Sequence, residues 1–192
     1  MSRIPLPTPD TMTTEQRRVY ESIVNGPRGT LVGPLRAALH RPELADKWQQ
    51  LGELLRYRTT LPPHISEIAV LVTARRWNSQ VEWHMHAIAA ANAGIAADVI
   101  EDIKQHRRPV KAGAEALAVH DYAVELTKTG TVTQATYDAV RLAWKDVGVV
   151  ELTALIGYYT MVAMTLNAHE IPLPAGVEPP LPNLAAEPER GR

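Results

Sequence analysis

Glu82 and His86 lie four residues apart in the segment Glu82-Trp83-His84-Met85-His86. On a helix that spacing puts both on one face. A carboxylate beside an imidazole orients its tautomer and favours its protonated form, which makes a proton donor near neutral pH. Trp83, three residues before His86, would add an apolar wall that limits water. His84 lies about 200° around the helix from His86 and points elsewhere, so the two histidines do not form a helical chelate. Glu82 with His86 could supply two metal ligands, but no third His, Asp or Glu is tied to them by spacing, and no metal is expected. The plainer reading of the same residues is an i,i+4 pair at a helix interface with Trp83 in the core. Both readings stand on the residues alone.

Two further groups are candidates. Glu67 shares a helix side with Leu71 and Ala74, and a carboxylate on an inner face needs a partner. Arg58, Arg75 or His86 could provide it. Alternatively, Glu67 is a first-turn acid favoured by the helix dipole. Arg58 continues the stripe Leu44, Trp48, Leu51, Leu55 by one i+3 step and so points inward, unless it is simply a basic residue at a helix C-terminus. Arg75 flanks the apolar side of its helix.

The elements that position these residues are all helical. Thr13 and Gln16 have capping-box spacing, so a helix follows with Val19, Tyr20, Ile23 and Val24 buried. Pro34 and Pro42 suit first helical positions, opening helices over about 34–40 and 42–58. The second of these carries Leu44, Trp48, Leu51, Leu54 and Leu55 as its apolar stripe. Pro62-Pro63 separates it from a helix over 67–77 with Ser66 as N-cap. A turn at Trp77-Asn78-Ser79 leads to a helix near 80–93 closed by Gly94. Shorter helices are expected from Asp98 to about His106, from Glu115 to Thr129 ahead of Gly130, and from Thr133 to Lys145. The last helix, about 149–168, is apolar nearly all round and is expected to be the most buried. Its apolar run is short for a membrane span and lacks basic flanks. No segment alternates with period two for long enough to make a strand, so the fold class is all-α, with seven to nine helices.

Residues 1–12 read as an extended arm with Pro5, Pro7 and Pro9, residues 13–170 as one helical domain, and 171–192 as a tail. The tail carries Pro172, Pro174, Pro179, Pro180, Pro182 and Pro188 and is expected to be partly disordered at its end. With 45% hydrophobic residues among 192, the chain can bury a core. The formal net charge of -1, with Lys and Arg scattered, argues against nucleic acid or an anionic membrane as partner. No basic region followed by an apolar run opens the chain, and cysteine is absent. Both fit a cytoplasmic protein. No phosphate loop or dinucleotide fingerprint points to a cofactor.

The segment Glu67-Ile68-Ala69-Val70-Leu71 followed by Glu82-Trp83-His84-Met85-His86 resembles the carboxymuconolactone decarboxylase family, which carries an R-E-I-A-x-L-like stretch and then E-W-x-x-H. The resemblance is best over about 42–106. Arg3-Ile4-Pro5-Leu6-Pro7, Gly26-Pro27-Arg28-Gly29 and Leu155-Ile156-Gly157-Tyr158-Tyr159 look like a longer subgroup. The family shares its fold with the alkylhydroperoxidase D (AhpD) proteins, related to peroxiredoxins, whose C-x-x-C-x-x-x-H aligns with Ser79-x-x-Glu82-x-x-x-His86. With no cysteine, a dithiol peroxidase reaction is excluded. The family usually has Arg where this chain has Ser66, so Arg58 or Arg75 would have to hold a substrate carboxylate. The resemblance implies a cofactor-free decarboxylation of a small carboxylated lactone or related acid, as in aromatic-compound degradation. It assigns His86, Glu82 and Glu67 to catalysis and Trp83, Arg58 and Arg75 to substrate binding, in a trimer or hexamer of the chain. The competing expectation is a non-catalytic oligomeric protein that binds a small ligand; alkyl hydroperoxide reduction ranks last. Packed as a hairpin, the helices carrying Glu67 and His86 would set those residues roughly 6 to 10 Å apart along the axis, a gap for long side chains or a ligand to bridge.

Overall fold

The computed structural model describes residues 2–31 and 33–182. Among them are eight helices and no strand: α1 (Thr14–Val24), α2 (Gly33–Ala38), α3 (Pro42–Tyr57), α4 (Pro63–Arg76), α5 (Gln80–Asn92), α6 (Ala97–Lys104), α7 (Ala114–Thr129) and α8 (Gln134–Ala168). The all-α class is as the sequence predicts. Pro188 and the end of the expected tail lie outside the described residues. The helices fall into two compact units, one up to Thr59 with Thr165–Pro172, the other Thr60–Met164 with the chain from Leu173.

In the first unit, the Thr13 hydroxyl accepts from the Gln16 backbone while the Gln16 side chain accepts from the Thr13 backbone. This closes the capping box that starts α1. Val19, Ile23, Leu35 and Leu39 pack with Trp48 and Leu55 as its buried apolar core. The buried face of α3 is Ala45, Trp48, Gln49, Gly52 and Leu55, whereas Leu44, Leu51 and Leu54 are exposed. The predicted stripe is thus only partly right. The small residues Ala45 and Gly52 permit the closest approach, so the face that carries them goes inward. The N-terminal arm lies along its own unit, with the Arg3 backbone donating to His169 O at 2.8 Å, an Arg3–Glu170 ion pair at 2.6 Å, and His40 Nε2 at 2.6 Å from Pro5 O.

The second unit is built around α4, which packs against α5, α6 and α7. Residues Ile68 to Arg75 are buried without interruption, so α4 rather than the last helix is the most enclosed. α4 begins at Pro63, not after Ser66. Proline has its helical φ preset and no N–H to satisfy, so it starts a helix readily, and Ser66 falls inside the helix instead of capping it. Asn78, at φ 47°, makes the turn into α5, and Gly94, at φ 86°, closes it in the left-handed region that costs glycine least.

α8 is interrupted once, at Lys145 (φ 60°, ψ -169°), rather than over the several residues up to Gly148 that the sequence suggests. Gly148 is what the interruption requires. A Cβ there would lie 2.1 Å from Trp144 Cβ and 3.1 Å from Trp144 Cγ. Gly148→Ala is therefore expected to lower stability by about 1–3 kcal/mol, outweighing the roughly 0.5–1 kcal/mol that alanine gains over glycine in a helix. Urea denaturation of the two proteins measures the difference. By length and composition α8 is the one described helix apolar enough to cross a membrane, and half of its most apolar window is buried.

Candidate active site

Ser79, Glu82 and His86 fall at i, i+3 and i+7 of one helical face, at the start of α5. All three are buried, at 0%, 2% and 6% exposure. The expected partnership changes hands. His86 Nδ1 lies 2.7 Å from Glu67 Oε2, and Glu82 is not its partner. Because α4 starts at Pro63, Glu67 sits in the second turn, past the reach of the helix dipole. The extended side chains of Glu67 and His86 close the axial gap directly. With Nδ1 committed to the carboxylate, Nε2 is the nitrogen able to exchange a proton with another group.

Tyr159 of α8 completes the setting of the imidazole. Its ring meets that of His86 edge to face at 4.8 Å, and Tyr158 stacks on Tyr159 in the same manner at 5.3 Å. Nearby, Trp77 Nε1 donates to Thr160 Oγ1 at 3.2 Å and Tyr122 Oη pairs with Thr153 Oγ1 at 2.8 Å, tying α8 to α4 and α7. Sequence reasoning missed Tyr159 as a site residue. It lies in the Leu155–Tyr159 stretch of the resemblance, but no spacing connects it with His86.

Glu82 has the least usual environment. Both of its carboxylate oxygens are buried with no hydrogen-bond partner, and so is Ser79 Oγ. Burial alone pushes the Glu82 carboxyl well above the usual carboxylate range, because a charge there would be neither solvated nor paired. Ser79 stands at the N-cap position of α5 yet makes no capping bond. Three buried polar oxygens without a protein partner within one helical turn each cost about 1–3 kcal/mol. Such groups call for an explanation, and a catalytic role is one.

The remaining candidates disperse. Trp83 is buried at 3% exposure on the turn between Glu82 and His86. Arg58 ends α3 with a non-helical φ of -133°, so the i+3 extrapolation of the stripe no longer applies. Its side chain is 61% exposed and pairs with Glu53 at 3.4 Å. Arg75 is buried, with Nε donating to Lys104 O at 2.6 Å and Nη1 to Asn78 Oδ1 at 3.1 Å. It pins the end of α4 to the end of α6 and lines a cavity of about 330 Å³ with Arg108, His120 and Asp121. Among the described residues no cluster of three or more His, Asp and Glu could hold a metal ion.

The C-terminal segment packs over the start of α5. Gln80 Nε2 donates to Leu181 O at 3.1 Å and Leu181 N donates to Gln80 Oε1 at 2.9 Å, while Asn78 Nδ2 donates to Pro182 O at 3.0 Å. Leu181 is 3% exposed. Asn78 and Gln80 flank Ser79, so this strap is anchored on both sides of the site's first residue. Gln80→Ala is expected to release it. Faster amide hydrogen exchange at Leu181, with α5 itself still protected, would register the release.

No protein-family model and no curated protein matches the chain. Solved structures do. An AhpD-core, peroxidase-related protein of Ralstonia eutropha JMP134 superposes with a TM-score of 0.74 at 17% identity, covering 91% of this chain and 93% of that one. A peroxidase-related protein of Silicibacter sp. TM1040 gives 0.74 at 16% identity, over 91% and 92%. A cysteine-to-alanine variant of the debrominase Bmp8, in complex with 2,3,4-tribromopyrrole, gives 0.70 at 12% identity, over 90% and 91%. The chain therefore has the AhpD-like all-α fold.

Proposed function

We propose that this chain is a carboxymuconolactone decarboxylase-like carboxy-lyase that acts on a small carboxylated lactone or related acid without an organic cofactor. The observation that carries the reading is the buried Glu67–His86 pair at 2.7 Å, with His86 on the same helical face as Glu82, whose carboxyl burial pushes well above the usual carboxylate range.

In this reaction the bond from the ring carbon to the carboxylate breaks, carbon dioxide leaves, and the electron pair moves into the conjugated carbonyl as an extended enolate. The substrate's own carbonyl is the electron sink. The developing oxyanion is met by neutral donors, the Glu82 carboxyl and the Ser79 hydroxyl, in a site where such hydrogen bonds count for more than in water. His86 Nε2 then delivers a proton to carbon, with Glu67 holding the imidazole at Nδ1. Trp83 and Tyr159 keep water from the anion. Glu67 acts through His86, as a positioning residue.

A second reading, a ligand-binding protein without turnover, is favoured by the fate of the two arginines. Arg58 is paired with Glu53 and Arg75 is tied to Lys104 and Asn78, so the expected clamp on a substrate carboxylate is occupied elsewhere. The fold also serves other chemistry, as its occurrence in a debrominase attests. Incubation with a panel of carboxylated lactones separates the two. Carbon dioxide released in step with lactone consumed supports the lyase. Calorimetric binding with no carbon dioxide supports the second reading.

A further inference from the structure

The cavity of about 330 Å³ that Arg75 lines is separate from the face of α5 described above. It lies among α4, α6 and α7, and its described lining includes none of Ser79, Glu82, His86 or Tyr159. Each helix gives it one apolar residue and at least one polar residue at helical spacing. Val72 comes with Arg75 from α4, Ile103 with His106 from the end of α6, and Val124 with His120 and Asp121 from α7. Arg108, in the loop between α6 and α7, joins them.

Two of the polar side chains are buried, Arg75 at 4% exposure and His120 at 7%. Such groups are buried only where something holds them. Arg75 is held through Nε and Nη1 by Lys104 O and Asn78 Oδ1. Both are neutral oxygens, so these bonds fix the position of the charge. His120 Nδ1 lies 2.9 Å from Asp121 Oδ1. A carboxylate only accepts, so Nδ1 carries the hydrogen and Nε2 is the nitrogen left to meet a ligand. Arg108 grips the same carboxylate through Nε at 3.0 Å and Nη2 at 2.8 Å. Asp121 thus orients the basic groups on either side of it. Exposed His106 stands at φ 57°, in the left-handed region where glycine is the cheaper residue.

Charge and shape say what would enter. Two guanidiniums face one carboxylate, which leaves one net positive charge before either imidazole is counted. A monoanion matches that charge, whereas a dianion such as phosphate would repel Asp121. A bare inorganic anion would leave Val72, Ile103 and Val124 without a partner, and these suit a hydrocarbon body. The volume is at the small end for ligand pockets, enough for a single ring and too little for a dinucleotide. A planar two-oxygen group is what a guanidinium and an imidazole N–H recognise best.

We infer that this cavity is a second binding site, for a small monocarboxylate with an apolar body. The carboxylate lies toward Arg75 and His120 and the body lies against Val72, Ile103 and Val124. The inference stands whether or not the α5 site turns over a substrate.

Isothermal titration of the full chain with sodium benzoate is expected to show one site per chain with a Kd of about 1 mM or tighter. Benzyl alcohol has the ring without the charge, and inorganic phosphate has the charge without the ring. Each is expected to bind at least about tenfold more weakly, the scale of one lost charge-assisted hydrogen bond. Val124→Trp fills the cavity without changing its charge, at a position already 38% exposed. Arg108→Gln removes a cation. Both are expected to weaken benzoate at least about tenfold, while His86→Ala leaves it unchanged. In the wild type, benzoate is expected to shift the NMR signal of the Arg75 Nε–H, which its bond to Lys104 O protects from exchange. That signal reads the location even if a variant fails to fold. Absence of binding up to about 10 mM overturns the inference. So does phosphate or benzyl alcohol binding as tightly as benzoate, or an Arg75 signal that stays in place while benzoate binds. Folded Val124→Trp and Arg108→Gln proteins that bind like the wild type overturn it too, as does a folded His86→Ala protein that loses benzoate.

Discussion

Replacing His86 with alanine is expected to lower turnover of the carboxylated lactone by at least about a hundredfold, the usual scale for losing a general acid. The helical circular dichroism should be retained, because His86 lies in the middle of α5, where alanine is the best helix former. The geometry makes His86 the group with most to lose. Its Nδ1 is fixed by Glu67 at 2.7 Å and its ring by Tyr159 at 4.8 Å, so one proton-bearing nitrogen is held in one place. Glu67→Gln keeps an acceptor for Nδ1–H but removes the charge. It is expected to lower kcat with little change in KM, since Glu67 touches the histidine and not the substrate. A His86→Ala enzyme with full turnover would remove His86 from the chemistry and return it to packing.

Glu82→Gln is expected to make the protein more stable at neutral pH and to flatten its stability against pH. The ordinary value for this carboxyl is 4.5, and burial raises it well above that in the folded chain. Between those two points the folded state holds a proton that the unfolded state has lost. Stability therefore falls as pH rises from about 4.5 through the raised folded value, and is constant beyond it. Each unit of separation is worth about 1.4 kcal/mol. Glutamine has nearly the same shape and no charge to bury, so the loss disappears. Urea midpoints measured from pH 5 to pH 8 should diverge steadily, wild type falling below the variant; parallel curves would mean that Glu82 ionises freely in the folded protein. The same substitution keeps a neutral hydrogen-bond donor at this position, so turnover is expected to survive it.

What the sequence discloses here is what neighbours along the chain decide. The capping box at Thr13, the turn at Asn78 and the glycines that close α5 and α7 are local, and their positions follow from residue type alone. The face of α5 that unites Glu82 with His86 follows from helical spacing in the same way. The identity of the partner of His86 does not. It depends on where α4 begins, and two adjacent prolines leave the choice between Pro63 and a later start to the packing around them. Tyr159 reaches His86 from seventy-three residues away, and nothing in the intervening spacing encodes that contact. Arg58 misled because two faces of α3 are apolar, and because a helical extrapolation fails once the backbone leaves the helix. The outward face of α8 was hidden by its own composition: a helix apolar on every side does not declare which side its own chain will cover.

The pairing of Gln80 with Leu181 has a further consequence for reading frame. The side-chain amide of Gln80 presents the same donor and acceptor as a peptide group, and Leu181 answers with both its N–H and its C=O. Its neighbours Pro179, Pro180 and Pro182 have no N–H to offer. Sliding the segment by one residue in either direction would bring a proline opposite Gln80 and break half of the clasp. The prolines therefore act as spacers that admit a single alignment, like the blank teeth beside the one cut of a key, and the extended conformation they impose is already that of the docked strand.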